Sequence, residues 1–238
     1  MFPLLYVPVV EGSTNDEVLK AAEKIDGHVA LYTYRQLAGR GQYGNIWQSS
    51  RDENLAYSLA LRPEGYALSA RLFNFYTALV VRDFVANLTA SVVKVKWPND
   101  ILVSGKKISG MLVEQRRVNG VTYWVSGVGI NVKQKHFEGL PKAGSILSQT
   151  GLAIDLDDFT QRFHAYYSEA LVRVPGEAEV LSRFNEWLFR RDEVSFFALG
   201  GIRQNGIIRK VDEEGALHVE LEKDGLRCFR TKEIELLY

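Results

Sequence analysis

The sequence predicts an α+β fold: a mixed or antiparallel sheet with flanking helices over residues 1–189, followed by a small β-barrel over residues 190–238. Three observations lead there. In SARLFNFYTALVVRDFVANL the apolar residues Leu72, Phe75, Tyr76, Leu79, Val80 and Phe84 recur at steps of three and four, which gives one long helix a broad stripe to lay on a sheet. Directly after it, residues 92–97, 111–117 and 121–131 are rich in β-branched and aromatic side chains. Ser104-Gly105 and Asn119-Gly120 supply turns between them, so three strands follow one another as a meander. From Asp192 onward the helical period disappears and only short strand-like runs separated by glycine turns remain.

Taken in order, LLYVPVV reads as a first strand, and Ser13 or Thr14 can cap a helix TNDEVLKAAEK, where Thr14 and Glu17 have the spacing of a capping box. Residues 29–34 read as a strand. Residues 54–62 alternate, with Leu55, Tyr57, Leu59 and Leu61 on one face, and predict a half-buried strand. The long helix and the meander come next. Two further helices are expected over 156–172 and 178–189, the second carrying Val180, Leu181, Phe184, Trp187 and Leu188. The barrel would be made of EVSFFAL, GIIRKVDEEGALHVELE and RCFRTKEIELL, with turns at Gly200-Gly201, Glu214-Gly215 and Asp224-Gly225. A unit so short is expected to lean on the larger one for stability.

Composition narrows the function. The 238 residues are 46% apolar and 24% charged, which suits a globular chain whose core needs neither disulfide nor structural metal, and the single cysteine, Cys228, has no partner within the chain. With 29 Lys+Arg against 29 Asp+Glu the net charge is zero, so no unspecific basic surface for nucleic acid or membrane is expected and an anionic ligand must be met locally. Nowhere do about 18 apolar residues run uninterrupted. The opening MFPLLYVPVVEG lacks a basic leader and a small-residue cleavage site. A cytoplasmic location is the expectation, with monomer and homodimer both open.

Three segments carry chemistry. Gly39-Arg40-Gly41-Gln42-Tyr43-Gly44 matches G-x-G-x-x-G, but the dinucleotide fingerprint needs a helix N-terminus after the loop, and here NIWQSSRDENLAYSLAL turns and becomes a strand. The loop reads instead as backbone amides beside one fixed charge, Arg40, able to cradle a phosphate or carboxylate, or else as a tight turn with a solvated arginine. Lys96-Trp97-Pro98-Asn99-Asp100 ends a strand at Pro98 and puts Asn99 and Asp100 on a turn. Asn99 can donate and accept together, as adenine recognition requires, while Asp100 can hold Mg²⁺ or accept a proton. The plainer reading is a polar turn ahead of a basic hairpin, Gly105 to Gly110. Finally, Gly127-Val128-Gly129-Ile130-Asn131-Val132 places two glycines inside a strand, which a bulge or a closely approaching ligand explains. His28, His136, His164 and His218 are scattered without ligand spacing, so no zinc site is expected. Ser13 has no nucleophile elbow and no evident base.

Together these segments resemble the biotin protein ligases. Ser13-Thr14-Asn15, Gln36 followed by GRGQYGNIW, KWPND, GKKISGMLVE and GVGINV appear in the order and spacing of that family's catalytic domain, and GIIRKVDEEGALHVE is more loosely similar to its small C-terminal barrel. The resemblance implies a fold like that of class II aminoacyl-tRNA synthetases and biotin ligases, with an SH3-like barrel behind it. It also implies a ligase forming a C–N bond in two steps. Biotin carboxylate attacks the α-phosphate of Mg·ATP to give biotinyl-adenylate, then a lysine of a biotin carboxyl carrier domain of acetyl-CoA carboxylase type displaces AMP.

Carried over by position, Ser13, Thr14, Asn15, Gln36 and Gln42 would bind biotin together with Arg40, Gly41, Lys107, Gly127 and Gly129. Arg40, Asn45, Trp47, Asn99, Lys107 and Asn131 would bind ATP, and Lys107, Arg40 and Asp100 would be catalytic. The chain departs from the pattern at Gln42 and Asn45, where many members have arginine, which leaves Arg40 as the loop's only cation. Members that are also repressors carry an N-terminal helix-turn-helix; here the pattern starts within the first fifteen residues, so no DNA-reading domain is expected. The rivals are a lipoate or octanoate ligase of related fold and a non-catalytic biotin-sensing module.

Overall fold

A computed structural model describes residues 1–25 and 27–238. The larger unit contains, in chain order, β1 (Leu4–Tyr6), α1 (Thr14–Ile25), β2 (Val29–Thr33), β3 (Gly39–Arg40), β4 (Ile46–Trp47), β5 (Asn54–Leu61), α2 (Ala70–Thr89), β6 (Val93–Lys96), β7 (Asp100–Val103), β8 (Lys106–Val118), β9 (Val121–Asn131), α3 (Ile146–Thr150), α4 (Leu156–Ala170) and α5 (Glu177–Glu186). Seven strands form one sheet in the order β1-β2-β5-β9-β8-β7-β6. Only β1 and β2 pair in parallel, joined through α1; every other pair is antiparallel, so the sheet is mixed, as the sequence predicts.

Two helical layers cover it. α2 lies on one face, backed by α4 and α5; it is buried nearly all round because Phe73 packs on Trp124 of β9 while Phe75 stacks on Phe184 of α5 at 4.2 Å. α1 covers the other face, packing Val18, Leu19 and Ala22 against Val29, Leu31, Ala60 and Val125. No described helix is long and apolar enough to cross a membrane.

Several elements differ from the sequence reading. The first strand stops at Tyr6, because Pro8 has no N–H for the ladder, and Val10 makes only a single bridge to Gln36. The Thr14–Glu17 capping box does not form: the Thr14 hydroxyl lies 2.7 Å from Ser58 Oγ, Glu17 pairs with Lys20, and Ser13 Oγ accepts from the Asn15 amide. β5 is buried along both faces rather than one, its small residues Ala56, Ser58 and Ala60 facing the α1 side of the sheet. The meander has four strands, since Asp100 opens β7 opposite Lys96 instead of standing on the turn, and β8 begins already at Lys106. Ile101-Leu102-Val103 is too short a run for periodicity to mark.

The C-terminal strands β10 (Val194–Leu199), β11 (Ile202–Val211), β12 (Leu217–Leu221), β13 (Gly225–Phe229) and β14 (Glu235–Leu237) form one antiparallel sheet, β13-β12-β11-β10-β14, consistent with the expected SH3-like barrel. Its core residues Phe197, Ile208, Val211 and Val219 are continuous with the main core through Phe184 and Leu188. Polar clamps fix it further. Asn185 of α5 donates to Val211 O and accepts from Val211 N, and Trp97 Nε1 donates to Gly215 O at 3.0 Å.

One buried polar contact is expected to make the fold sensitive to acid. His164 of α4 lies 2.9 Å from the Tyr57 hydroxyl and 2.9 Å from Phe2 O. Burial holds its pKa below the ordinary 6.5, against the opposing hydrogen bond to Phe2. The unfolded chain therefore takes up this proton before the folded one does, so the His164 contribution is complete above about pH 6.5 and is lost as pH falls through the lowered value. His28 shifts the same way, also through burial. The melting temperature is expected to fall between pH 7 and pH 5. His164→Asn should start lower at pH 7 but show a shallower fall; equal slopes in the two proteins would exclude His164 as the cause.

Candidate active site

The α1 face of the sheet opens into a trough because its cross-strand neighbours are small. Ala56, Gly129, Gly110 and Asp100 lie opposite one another across β5, β9, β8 and β7, and Ser58, Gly127 and Leu112 form the next row. The N-terminus of α1, the β3–β4 loop, the β6–β7 corner and Thr231-Lys232 of the barrel wall this floor into a cavity of about 220 Å³. The glycines are required by close approach. A Cβ on Gly127 would stand 2.3 Å from Asn15 Oδ1, and one on Gly129 would stand 2.3 Å from the Trp47 ring.

At the Gly127 end the groups are polar: Ser13, Thr14, Asn15 and Ser58 are buried and uncharged, with half-buried Gln36 and the Glu114 carboxylate behind them. Ser58 Oγ lies 2.7 Å from both Thr14 Oγ1 and Asn15 Oδ1, Asn15 Nδ2 donates to Glu114 Oε2 (2.8 Å), and Gln36 Oε1 accepts from Thr14 N (2.8 Å). Such a network, fixed before any ligand arrives, suits a neutral head group with both donors and acceptors. In the middle the Trp47 indole covers Gly129 and Gly110, with its buried Nε1 unpartnered. At the far end Lys107 Nζ sits 2.6 Å from Asp100 Oδ1, Lys96 Nζ 3.6 Å from Asp100 Oδ2, and Lys107 5.6 Å from the centre of the Trp47 ring. This end suits an anion, and Asp100 leaves a carboxylate beside it.

A bulge decides which lysine points inward. β8 pairs Ser109 with Ile101 but Lys107 with Leu102, so Ile108 is an extra residue and the alternation changes phase there. Lys107 and Gly110 consequently share the cavity side while Ile108 and Met111 enter the core. Lys106 is directed outward to Pro141 O.

The glycine-rich segment is a hairpin: β3 pairs with β4, Gly41 N donates to Asn45 O (2.7 Å), and Tyr43 and Gly44 carry positive φ of 56° and 79°. No helix follows it, as its sequence predicts. Arg40 is turned to the rim, where Nη2 meets Asp16 Oδ1 at 2.9 Å and Glu114 Oε2 at 3.5 Å in a cluster shared with Arg116.

The structure gathers Ser13, Thr14, Asn15, Gln36, Arg40 and Gly41 around this one cavity. Gln42, Asn45, Trp47, Asn99, Asp100, Lys107, Gly127 and Gly129 line it as well. Asn99 is braced there, its Nδ2 donating to Met111 O. Asn131 stands apart from the lining, its Nδ2 donating to Gly144 O at 2.9 Å and its buried Oδ1 unpartnered. Sequence reasoning passed over Ala56 and Ser58, whose small side chains carry too little apolar surface to mark a second buried face of β5. It also passed over Thr231 and Lys232, for which no local signal exists.

Comparison with known proteins agrees with this arrangement. The biotin/lipoate A/B protein ligase family matches residues 8–131, the stretch that supplies the floor, the α1 wall and the glycine-rich hairpin. The chain is 32% identical over 218 residues to the biotin–[acetyl-CoA-carboxylase] ligase of Paracoccus denitrificans, covering 86% of this chain and 89% of that one. It is 30% identical over 226 residues to the bifunctional ligase/repressor BirA of Escherichia coli K12, covering 92% and 69%. Among solved structures, the biotin protein ligase of Aquifex aeolicus in complex with biotin and ATP superposes over 99% of this chain and 98% of that one, with a TM-score of 0.77 at 22% identity, which establishes the common fold. With the motif-bearing residues converging on one cavity and the similarity running through nearly the whole chain, the protein belongs to the biotin/lipoate A/B protein ligase family.

Proposed function

We propose that the chain is a biotin–protein ligase: it activates biotin with ATP to biotinyl-5′-AMP and transfers the biotinyl group to a lysine of a biotin carboxyl carrier protein of acetyl-CoA carboxylase type. In this reading residues 1–189 are the catalytic unit and 190–238 the accessory barrel. The observation that carries it is the order of chemistries along the trough, from a hydrogen-bonding donor–acceptor end through an apolar middle to a cationic end. Biotin has the same order in its ureido ring, alkyl chain and carboxylate.

In the first step a carboxylate oxygen bonds to the α-phosphorus and the bond to the β-phosphate oxygen breaks, releasing pyrophosphate. Two anions must meet, so a fixed cation is needed to offset their repulsion and the developing charge; Lys107, at the cationic end, is the candidate for it. In the second step the lysine nitrogen of the carrier bonds to the acyl carbon, the bond to the phosphate oxygen breaks and AMP leaves. Asp100, beside Lys107, is the cavity's candidate to accept the proton of the incoming ammonium. Ser13, Thr14, Asn15 and Gln36 would hold the ureido ring, and Asn99 would serve the nucleotide end. Magnesium would arrive with the substrate as Mg·ATP; the carboxylate at the cationic end, Asp100, faces two lysines.

The polar end also favours biotin over lipoate, whose dithiolane ring would leave the Thr14, Asn15 and Ser58 groups without hydrogen-bonding partners on the ligand. The decisive measurement is exchange of labelled pyrophosphate into ATP with biotin or lipoate as the only added acid. Exchange with biotin, followed by labelling of a carrier domain at one lysine, is expected. Exchange with lipoate alone would overturn the proposal.

A further inference from the structure

The glycine-rich hairpin has one cation of its own, Arg40, and that guanidinium is turned outward to Asp16 and Glu114. Another cation reaches the hairpin from far along the chain. Lys232, between β13 and β14, extends across the cavity mouth: its Nζ donates to Tyr43 O at 3.1 Å and lies 5.1 Å from the centre of the Tyr43 ring. Both partners have left-handed backbone, φ 73° at Lys232 and φ 56° at Tyr43, a conformation that a lysine and a tyrosine rarely adopt and that glycine adopts without strain.

The turn itself does not call for a lysine. It is closed by Glu233, whose amide donates to Arg230 O and whose carboxylate accepts from Arg230 N, so the side chain at 232 is free to serve another purpose. The barrel that carries it is clamped to the larger unit through Asn185 and Trp97, which sets where its turns meet the cavity.

We propose that Lys232 is a positioning residue for the reaction: it latches the glycine-rich hairpin at Tyr43 and holds it closed over the acyl-adenylate, supplying from the barrel the positive charge that Gln42 and Asn45 do not bring. The proposal rests on the ligase reading above. It gives the barrel a direct part in retaining the reactive mixed anhydride between the two steps.

Lys232→Gly removes the latch while relaxing the left-handed backbone, so its melting temperature is expected to equal or exceed that of the wild type. Two readouts follow the latch itself. Without ligand, amide hydrogen exchange over residues 39–47 should speed up by about tenfold; with ligand, release of biotinyl-adenylate should speed up by a similar factor, the scale of one hydrogen bond to a charged group. Lys232→Arg should restore both, and adding Gln42→Arg to Lys232→Gly should restore adenylate retention. Wild-type exchange and release in Lys232→Gly, or an arginine variant as leaky as the glycine one, would overturn the latch. If the wild-type protein forms no adenylate the ligase reading fails instead, and the ligand-free exchange comparison still decides whether Lys232 holds the hairpin.

Discussion

Lys107→Ala is expected to lower the rate of biotinyl-adenylate formation by two to four powers of ten, roughly 3 to 5 kcal/mol of lost transition-state stabilisation. Lys107 Nζ is 2.6 Å from Asp100, and Lys96 approaches the same carboxylate at 3.6 Å. With both lysines present, the cationic end carries one net positive charge; without Lys107, the remaining Lys96–Asp100 pair is neutral. Two anionic substrates would then meet at an end of the cavity whose own lysine–carboxylate cluster has no net charge to offset their repulsion, leaving only the more distant Arg40 and Lys232. Lys106→Ala serves as the comparison, because its ammonium donates to Pro141 O outside the cavity and its loss should leave the rate within about twofold. Stopped-flow or single-turnover adenylation measures both. Full activity in Lys107→Ala with a loss in Lys106→Ala would mean that the bulge at Ile108 had been read in the wrong phase.

That bulge shows how far the sequence could be read. GKKISG identifies a basic hairpin strand, but strict alternation over Lys106, Ile108 and Gly110 would place Lys106 on the glycine side; only the extra residue at Ile108 brings Lys107 there. Nothing local announces a bulge, so the choice between the two lysines had to come from the family resemblance. The long helix was legible because its stripe extends over several turns, and the hairpin at Asn119-Gly120 because few residues accept positive φ there. The burial of both faces of β5 was not legible, since Ala56, Ser58 and Ala60 carry too little apolar surface to register as a second hydrophobic face.

The candidate site was legible as a set of segments and not as a geometry. Backbone needs of the chain mark its glycines and its proline, so GRGQYG, KWPND and GVGINV stand out in the sequence. Side-chain direction depends on tertiary neighbours: Arg40 turns to Asp16 and Glu114 rather than inward, Asn131 pairs with Gly144 O, and Lys232 meets Tyr43 across 189 residues of chain. Each of these contacts joins elements that no short motif contains.

Gly129→Val is expected to weaken biotin binding by about a hundredfold or more, from roughly 3 kcal/mol of steric conflict in a slot that has no slack. Gly129 is the centre of the small-residue row between Ala56 and Gly110, so any side chain there rises from the floor into the space between the polar and the cationic ends. The first atom added would stand 2.3 Å from the Trp47 ring, and valine adds two more. Trp47 belongs to the two-residue strand β4 of a surface hairpin and can swing away, so the fold should survive with a melting temperature a few degrees lower at most. Calorimetric titration of biotin into Gly129→Val tests the slot directly. The double variant with Trp47→Ala separates the two ways in which a valine could act. If biotin lies on the floor, removing the indole leaves the conflict between valine and ligand in place and binding stays weak. If the double variant recovered wild-type affinity, the valine would be acting only by displacing Trp47, and the ligand's alkyl chain would have to run elsewhere than over Gly129.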